Sequence, residues 1–247
     1  MKSIIISGIC GKTGANGYES AKEAGLNVVC GIDKECYGNV DCPVYQSFAD
    51  VNEYADVVVD FSSPSNLTGL LRYCVENKTP VVIATTGYSA DDEIKITEAA
   101  NFIPIMKTSN LSLGVNFFIK IVSETARVLD EYDVEIIERH HKYKKDAPSG
   151  TTKMIVEAIK KSREISQLSY GRKGEKIRKE GEIGIHSVRG GSVVGEHEVC
   201  FYGKYDEIRL VHSAQNKKLF SDGAIKAALF IAEQQHGFYT EKDLYKH

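Results

Sequence analysis

The sequence has no apolar run that approaches the roughly 20 residues needed to cross a lipid bilayer. Its first residues also lack the long apolar region and the small-residue cleavage site of a signal peptide. We therefore expect no membrane partner and a cytoplasmic location. Positive charge is not in excess, because the formal net charge is -3, and a strongly basic domain with interleaved aromatic residues is missing. That balance argues against a nucleic-acid partner.

Cysteines are few and widely spaced, with six in 247 residues and no Cys-x-x-Cys pair. No Cys and His residues stand at the tight spacing that zinc sites use, so no metal is predicted. We expect most of the cysteines to be small buried apolar residues. Cys10 has an alternative role as a thiol lining a nucleotide loop, although a small residue is all that such a loop requires there.

Repeats and low-complexity linkers are also missing, and 247 residues can form one large domain or two modest ones. In the first hundred residues, short apolar strands alternate with helices, which predicts a parallel sheet. We predict strands at Ile4–Ser7, Val28–Ile32, Val57–Phe61, Val81–Ala84 and Ile103–Met106, with helices ending near residue 24 and covering about 64–77 and 91–100. This alternation is typical of a Rossmann-like dinucleotide-binding domain.

A glycine-rich turn, Gly8-Ile9-Cys10-Gly11-Lys12-Thr13-Gly14, follows the first predicted strand and opens the first helix. Glycine permits the tight turn, and small residues let backbone N–H groups at the helix start reach a pyrophosphate. The spacing is GxxGxxG instead of the usual GxGxxG, with Cys10 where the second glycine normally stands. We predict that the residues from Gly8 to Thr13 bind a dinucleotide.

Asp33 lies at the end of the second predicted strand, about 20 residues beyond the glycine turn, where an acidic side chain typically holds the adenine ribose hydroxyls. Lys34 follows at once and can neutralise the 2′-phosphate of NADP. The pair therefore predicts use of both NADH and NADPH. The alternative is a solvated Asp-Lys turn without a ligand.

Two further loops follow predicted strands at the edge where ligands of open α/β sheets bind. Their hydroxyl and amide groups can hydrogen-bond a nicotinamide ribose or carboxamide, although such residues most often cap helices and make turns. We predict cofactor contacts from both loops, namely from Ala84, Thr85 and Thr86 and from Thr108, Ser109, Asn110 and Leu111.

The pattern changes after Asn110. We predict helices at about 114–130, 149–161 and 219–235, and strands at Val134–Ile137, Ile183–Val188, Val193–Tyr202 and Glu207–Ser213. The later strands alternate apolar and polar residues, as strands with one covered face do. Residues 171–182 are rich in charge and glycine, so we expect a mobile, solvated loop there.

The segment from Glu138 to Thr151 reads Glu-Arg-His-His-Lys-Tyr-Lys-Lys-Asp-Ala-Pro-Ser-Gly-Thr. It carries four permanent cations and two histidines that can become charged near neutral pH, with no acidic residue between Glu138 and Asp146. This charge predicts an anion site. We expect Arg139, Lys142 and Lys145 to be a solvated face beside it, while Asp146 either pairs with Lys144 or holds the loop through backbone hydrogen bonds.

The same segment resembles the ExHHxxKxDAPSGT signature of the bacterial dihydrodipicolinate reductases, also named 4-hydroxy-tetrahydrodipicolinate reductases, of the lysine and diaminopimelate pathway. The resemblance extends over nearly the whole chain. It includes the glycine turn and the segments Asp60-Phe61-Ser62, Thr85-Thr86-Gly87, Asn110 to Asn116, Val194 to His197 and Phe220 to Ala224.

The resemblance implies an α/β enzyme with a Rossmann-like dinucleotide-binding domain, residues 1–110 with 218–247, and an α+β substrate and oligomerisation domain with a mixed sheet, residues 111–217. Family members usually form homotetramers through that second sheet. Their reaction removes water from a small dianionic cyclic hydroxy-imine and transfers a hydride from NADH or NADPH to the ring. A dianionic substrate fits the predicted anion site.

The resemblance also assigns roles to residues of the segment. His140 would be the general acid that protonates the ring, with Lys144 as its partner or a second proton donor. A histidine with a pKa near its usual value of about 6.5 can exchange a proton at cellular pH. His141 and the N–H groups of Gly150 and Thr151 would bind the dianion at a helix start, with Ser149 as the N-cap. His186, His197 and His212 are expected to be hydrogen-bonded structural residues.

Three features depart from the family pattern. Lys12 and Thr13 replace the usual Arg-Met of the glycine turn, and lysine cannot bind a phosphate with two parallel hydrogen bonds as arginine can. Ala84 replaces the glycine of Gly-Thr-Thr-Gly. Lys217 stands where many members have arginine.

Two alternative functions would explain the first domain. A related NAD(P)-dependent amino-acid-pathway enzyme, such as an aspartate or homoserine dehydrogenase, would not need His-His-x-x-Lys leading into Asp-Ala-Pro-Ser-Gly-Thr. A non-enzymatic dinucleotide-binding regulator would have no need of paired proton donors in an anion site.

Overall fold

The computed structural model describes residues 1–36, 40–108 and 110–244. Its strands are β1 Ser3–Ser7, β2 Asn27–Ile32, β3 Val44–Tyr45, β4 Val57–Asp60, β5 Val81–Ile83, β6 Pro104–Lys107, β7 Asp133–His140, β8 Gln167–Tyr170, β9 Glu182–Arg189, β10 Gly195–Tyr202, β11 Glu207–Ala214 and β12 Gly237–Tyr239. Its α-helices are α1 Lys12–Glu23, α2 Leu67–Glu76, α3 Ala90–Ala99, α4 Leu113–Val128, α5 Gly150–Lys160, α6 Lys218–Ile231 and α7 Glu241–Leu244.

The chain divides into two compact units, Met1–Ser112 with Lys217–His247, and Leu113–Asn216. The sequence-based division into 1–110 with 218–247 and 111–217 differs from these bounds by one or two residues. The assignment of one unit to the dinucleotide and of the other to the substrate stays a prediction at this point.

The first unit is built on a seven-stranded sheet in the order β3-β2-β1-β4-β5-β6-β12, with all pairs parallel. The order 3-2-1-4-5-6 is that of doubly wound dinucleotide-binding folds, in which the order of the strands along the sheet reverses between β1 and β4. The predicted Rossmann-like fold is confirmed.

Both faces of this sheet are covered by helices. Successive residues of its central strands point to opposite sides and are therefore buried in two separate clusters. Ile5 and Val58 pack with residues of α2 and α3 in one cluster. Ile4 and Ile6 pack with residues of α1 and α6 in the other. Burial on both sides explains why β1 and β4 are continuous apolar runs in the sequence.

The second unit is built on a five-stranded mixed sheet in the order β11-β10-β7-β9-β8. Strand β10 is antiparallel to both of its neighbours, while β7, β9 and β8 are parallel to one another. Helices α4 and α5 cover one face, where Val122 and Ile155 pack against Val134, Ile136 and other inward-facing strand residues. The mixed sheet implied by the family resemblance is present.

Several predicted bounds were wrong. Strand β7 continues to His140 instead of ending at Ile137, β10 begins at Gly195 instead of Val193, and α6 ends at Ile231 instead of residue 235. Strands β3, β8 and β12 and helix α7 were not predicted, because segments of two to four residues carry too little periodicity to register.

The loop predicted at 171–182 connects β8 to β9, but two of its arginines are bound. Arg172 and Arg178 both form ion pairs with Glu135 of β7, and Arg172 also pairs with Glu182. These pairs anchor the loop to the sheet, while residues 171–177 are exposed, as predicted for a solvated segment.

None of the helices in the described ranges is long and apolar enough to span a membrane.

Candidate active site

The glycine turn joins β1 to α1 at the carboxyl edge of the first sheet. Gly8 has a φ of +75°, and a Cβ there would lie 2.8 Å from the backbone carbonyl carbon of Phe61. A Cβ on Gly14 would lie 1.9 Å from the carbonyl oxygen of Gly8. Neither position can therefore carry a side chain without moving the backbone. The close packing keeps the start of α1 directly beside the turn.

The start of α1 suits an anionic group. Its N-cap is Gly11, whose lack of a side chain leaves the first N–H groups of the helix without a side-chain cap. Lys12 and Thr13 form the exposed first positions of the helix, while Ile9 is fully buried, so its contribution to a ligand would come from the backbone. These features fit a dinucleotide pyrophosphate.

Asp33 follows β2 and lies against the glycine turn. Its Oδ2 accepts a hydrogen bond of 2.9 Å from the backbone N–H of Cys10. The turn is held to the same place by the N–H of Gly8, which donates to the carbonyl of Ile32 at 2.7 Å. The structure thus brings the predicted ribose carboxylate and the predicted pyrophosphate turn together, with Lys34 exposed beside them.

The cysteines divide into two groups. Cys30, Cys74 and Cys200 are buried free thiols and Cys42 is a half-buried one, as expected for small apolar residues. Cys10 and Cys36 are instead joined by a disulfide. The expectation of a simple small residue in the glycine turn was therefore wrong for Cys10, because the sequence separation of 26 residues hides the pairing.

The other two predicted cofactor loops follow β5 and β6, at the same edge of the sheet. The Thr85 hydroxyl donates to the buried carboxylate of Asp60 at 2.6 Å, while Thr86 is exposed and Ala84 half-buried. The Thr108 hydroxyl exchanges hydrogen bonds of 3.2 Å with the backbone of Asn110.

The Asn110 side chain accepts from Ser112 N–H at 2.9 Å, and the Leu111 side chain is buried in the core. Ser109 lies outside the described residues. Several of these side chains thus shape the loops, as the capping and turn alternative anticipated.

In the second unit, Glu138 and His140 project from β7 toward the side covered by α4 and α5. The alternation of the strand puts them on the same face as Val134 and Ile136. Glu138 is fully buried and its carboxylate is hydrogen-bonded to Nδ1 of His140. The contact fixes the orientation of the imidazole ring, with Nδ1 facing the Glu138 carboxylate.

Arg189, the last residue of β9, completes this cluster. The parallel register places it beside His140, and its guanidinium donates two hydrogen bonds of 2.7 and 2.9 Å to the Glu138 carboxylate. A third hydrogen bond of 2.7 Å goes to the backbone carbonyl of Asp146. Arg189 thus connects the buried carboxylate to the loop that carries Lys144.

The two members of the Glu138–His140 pair have shifted pKa values. Burial acts to raise the pKa of Glu138, but hydrogen bonds from Arg189, Ser187 and His140 outweigh it, and the pKa lies below its usual value. Burial lowers the pKa of His140, and together with the charges of Lys144 and Arg189 it exceeds the opposite effect of the Glu138 carboxylate. Glu138 is therefore anionic and His140 gives up its proton more readily than an exposed histidine.

Lys144 forms an ion pair of 2.8 Å with Asp146. Of the two roles left open for Asp146, its side chain takes the pairing with Lys144, and its backbone carbonyl is used by Arg189. The pairing lowers the pKa of Asp146. Lys144 remains one-fifth exposed, so its ammonium group is held at the surface of the cluster.

Helix α5 begins beside this cluster. Ser149 is its N-cap, with its side chain accepting from the N–H of Thr152 at 3.2 Å. The first intrahelical acceptor is the carbonyl of Ser149, which bonds Lys153 N–H, so the N–H groups of Gly150 and Thr151 precede the helical ladder. His141 has a buried Nδ1 without a hydrogen-bond partner among the described residues.

His197 belongs to the same cluster and is hydrogen-bonded there, as predicted for a structural histidine. It lies opposite Glu138 in the β7–β10 register, its Nε2 is 2.9 Å from Ser149 Oγ, and its ring is 5.3 Å from that of His140. Burial, followed by the charge of His140, lowers the pKa of His197 to about 4. His197 is therefore a neutral support for Ser149. In the sequence, only the inward-facing position of this histidine in a predicted strand could have indicated that it belongs to the site.

The remaining cations of the segment point elsewhere. Arg139 lies on the opposite face of β7, where it pairs with Glu196 and Glu198 at 2.6 and 2.9 Å. Lys142 and Lys145 are exposed. In the described ranges there is no group of three or more His, Cys, Asp or Glu side chains that could hold a metal ion.

Two family models match the chain. Residues 2–111 match the model described as "Dihydrodipicolinate reductase, N-terminus", and residues 114–245 match "Dihydrodipicolinate reductase, C-terminus". A curated 4-hydroxy-tetrahydrodipicolinate reductase of Caldanaerobacter subterraneus subsp. tengcongensis is 46% identical, with 100% of this chain and 99% of the relative covered. One from Clostridium novyi is 42% identical over the same shares of the two chains.

A solved structure from Paenisporosarcina sp. TG-14, described as dipicolinate-bound dihydrodipicolinate reductase, has a similar fold. Its TM-score is 0.81 and the match covers 97% of each chain, at 23% sequence identity. This likeness supports the two-unit architecture.

Proposed function

The chain belongs to the dihydrodipicolinate reductase family, and we propose that the cluster of Glu138, His140, Lys144 and Arg189 with the start of α5 is its catalytic site. The protein is an NAD(P)H-dependent 4-hydroxy-tetrahydrodipicolinate reductase of lysine and diaminopimelate biosynthesis. The reaction removes water and reduces the ring of a small cyclic imine. The observation that carries the site proposal is the buried Glu138–His140 pair. Lys144 and the N-terminus of α5 lie in the same unit.

His140 acts as the general acid in this proposal. Glu138 occupies Nδ1, so Nε2 is the ring nitrogen that exchanges a proton with the substrate. Gly195 leaves room there, because a Cβ at that residue would lie 3.1 Å from Nε2. A lowered pKa makes the protonated ring a better donor, while Glu138 keeps the protonated form accessible.

The substrate dianion is bound by groups around His140. The N–H groups of Gly150 and Thr151 offer the positive end of α5 to one carboxylate, and His141 and Lys144 supply further donors. Ser149 and His197 hold the helix start in place. A proton donor and an anion cradle in one unit match a dianionic substrate that must be protonated.

NAD(P)H supplies the hydride when bound. The glycine turn, the start of α1 and Asp33 fit its pyrophosphate and ribose, and the loops after β5 and β6 lie at the same sheet edge. Lys34 stands where it can meet a 2′-phosphate.

We also propose a homotetramer in the cytoplasm. The face of the second sheet opposite α4 and α5 carries the exposed side chains of Val188 and Val211. Ile137 lies on the same face, between Glu135 and Arg139 along β7. A second copy would cover these apolar side chains together with the Arg139 ion pairs on the same face. The cytoplasmic location follows from the biosynthetic role and from the use of NAD(P)H. Light scattering of the purified chain would measure the mass of the assembly.

A coupled assay tests the proposed activity. Pyruvate, aspartate semialdehyde and the upstream synthase generate the substrate, and absorbance at the NAD(P)H band follows its reduction. We expect consumption that requires both the synthase and this protein. Consumption with aspartate semialdehyde alone would point to the dehydrogenase alternative, and cofactor binding without turnover would point to the regulator.

A further inference from the structure

A disulfide joins two segments at the proposed dinucleotide site. Cys10 and Cys36 are separated by 26 residues in sequence, with their Cα atoms 5.4 Å apart. Both are half-buried. The four other cysteines are free thiols. The pair is therefore set apart from them by position and by bonding.

The cross-link connects the two places that a dinucleotide must contact. Cys10 lies inside the glycine turn, at the position where the usual fingerprint has its second glycine for close approach to the pyrophosphate. Cys36 lies three residues after Asp33, whose carboxylate already accepts the N–H of Cys10 at 2.9 Å. In the disulfide form, the turn and the Asp33 segment, residues 33–36, are thus joined by the disulfide and by the Asp33–Cys10 hydrogen bond, next to the hydrogen bond from Gly8 to Ile32.

We propose that Cys10 and Cys36 form a reversible redox modification site that controls dinucleotide binding. The proposal rests on the proposed function for its assignment of the cofactor site. In the dithiol form, the Asp33 segment and the glycine turn adjust to the ribose and pyrophosphate. In the disulfide form, the distance between the glycine turn and the Asp33 segment is fixed. The Asp33 carboxylate accepts the hydrogen bond from Cys10 N–H instead of contacting the ligand, so NADH and NADPH bind more weakly.

The reaction partner is a low-molecular-weight disulfide. One cysteine thiolate attacks it to give a mixed disulfide and release one thiol, and the other cysteine then displaces the second thiol as the Cys10–Cys36 bond forms. Two electrons pass from the protein sulfurs to the oxidant, and the two thiol protons end on the two released thiols. A dithiol reductant reverses both steps. Disulfides of cytosolic proteins are commonly transient and redox-sensing.

The other thiols are poor competitors for this exchange. Burial raises the pKa of Cys30 to about 12, and burial also raises the pKa values of Cys74, Cys42 and Cys200. Because the thiolate is the attacking species, these shifts suppress their reaction. Oxidation of the other thiols is thereby disfavoured, whereas Cys10 and Cys36 already lie at bonding distance from each other, with Cα atoms 5.4 Å apart.

The test compares the full chain after treatment with dithiothreitol and after treatment with oxidised glutathione. Peptide mass mapping identifies the Cys10–Cys36 link, and intrinsic or NADH fluorescence gives Kd for NADH and NADPH. We expect Kd to rise at least tenfold in the oxidised protein and to return when dithiothreitol is added again. Cys36→Ser and Cys10→Gly should each show the same Kd under both treatments, and Cys42→Ser should keep the wild-type response.

Equal or tighter binding by the cross-linked protein would overturn the proposal, as would the same response in Cys10→Gly. Absence of the link after oxidation would do so as well. Turnover by the reduced protein in the coupled assay reports separately on the proposed function. An active reduced enzyme with redox-independent Kd refutes the redox site alone, whereas an inactive reduced enzyme refutes the proposed function.

Discussion

At the scale of single residues, His140 is the proposed general acid, and the group hydrogen-bonded behind its ring supports that role. His140 has a buried carboxylate on Nδ1, and that carboxylate is held by a guanidinium. Replacing His140 by Gln keeps an amide near the ring position but removes the exchangeable proton. We expect kcat to fall about a hundredfold or more while substrate Kd changes little, because a proton donor acts in the transition state. Steady-state kinetics with binding by calorimetry measures both, and an unchanged kcat would remove His140 from the mechanism.

Glu138 should position His140 and set its proton affinity. In Glu138→Gln the anionic partner is lost, so the pKa of His140 falls further, since Glu138 raises it in the native protein. The decline of kcat with rising pH should therefore move to lower pH, and kcat at neutral pH should fall about tenfold. The pH dependence of kcat measures the displacement.

Glu196→Gln is the matched control for this change. It also removes a carboxylate that pairs with an arginine on the same sheet, but it lies on the opposite face from His140. Its pH profile should match that of the unmodified protein. If Glu138→Gln behaves in the same way, Glu138 has no positioning role.

Cofactor choice is also decided by neighbouring residues. The carboxylate of Asp33 suits NADH and the ammonium of Lys34 suits NADPH, so kcat/KM for the two should agree within about tenfold, or 1.4 kcal/mol. Lys34→Ala should lower kcat/KM for NADPH while leaving that for NADH nearly unchanged. A preference beyond a hundredfold in the native protein would contradict dual use.

Some site residues could be predicted from the sequence and others could not. His140, His141, Lys144 and Ser149 fall in one continuous segment whose composition is unusual. Arg189 and His197 come from strands that follow about fifty residues later, and they reach the cluster through sheet register, which single-sequence patterns do not specify.

At the scale of elements, β7 and α5 together create the site. Strand β7 extends to His140, so the alternation of inward- and outward-facing side chains continues through the proposed catalytic residues. Glu138 and His140 therefore face the same side as the core residues. The sequence pattern did not predict this extension, because charged residues at inward-facing positions look like the end of a strand. The pairing of Glu138 with Arg189 is what allows the strand to bury them.

Ser149 caps helix α5, and we expect it to support substrate binding as well. Ser149→Ala removes the N-cap of α5 and the partner of His197, so we expect a loss of about 1 kcal/mol in unfolding free energy and a severalfold rise in substrate KM. Ser89→Ala is the control, because Ser89 caps α3 in the other unit. Denaturation and kinetics should show a similar stability loss for Ser89→Ala with unchanged KM. Equal KM values for the two variants would exclude Ser149 from substrate binding.

At the scale of the whole molecule, the alternation of strands and helices was enough to predict the first unit, because buried parallel strands are continuous apolar runs that local sequence reports. The mixed sheet was implied by resemblance instead. Its strand order depends on pairings between β7, β9 and β10, whose partners are far apart in the chain. The Cys10–Cys36 link was missed for the same reason.

The buried neutral His197 makes stability depend on pH in one direction. Its pKa is about 4 when folded, against an ordinary value of 6.5, so between these values the unfolded chain binds a proton that the folded chain does not. Stability should therefore fall as pH falls from 6.5 to 4, by about 3 kcal/mol from this residue, and His197 should make no such contribution above pH 6.5.

His197→Gln removes the titrating group while keeping a side chain that can hydrogen-bond Ser149. Urea denaturation at several pH values should show that this variant loses less stability than the native chain between pH 6.5 and 4. His236→Gln replaces an exposed histidine and should retain the native pH dependence. If His197→Gln and the native chain lose stability in parallel, the acid sensitivity of the fold arises from other groups, and His197 is not held neutral by burial.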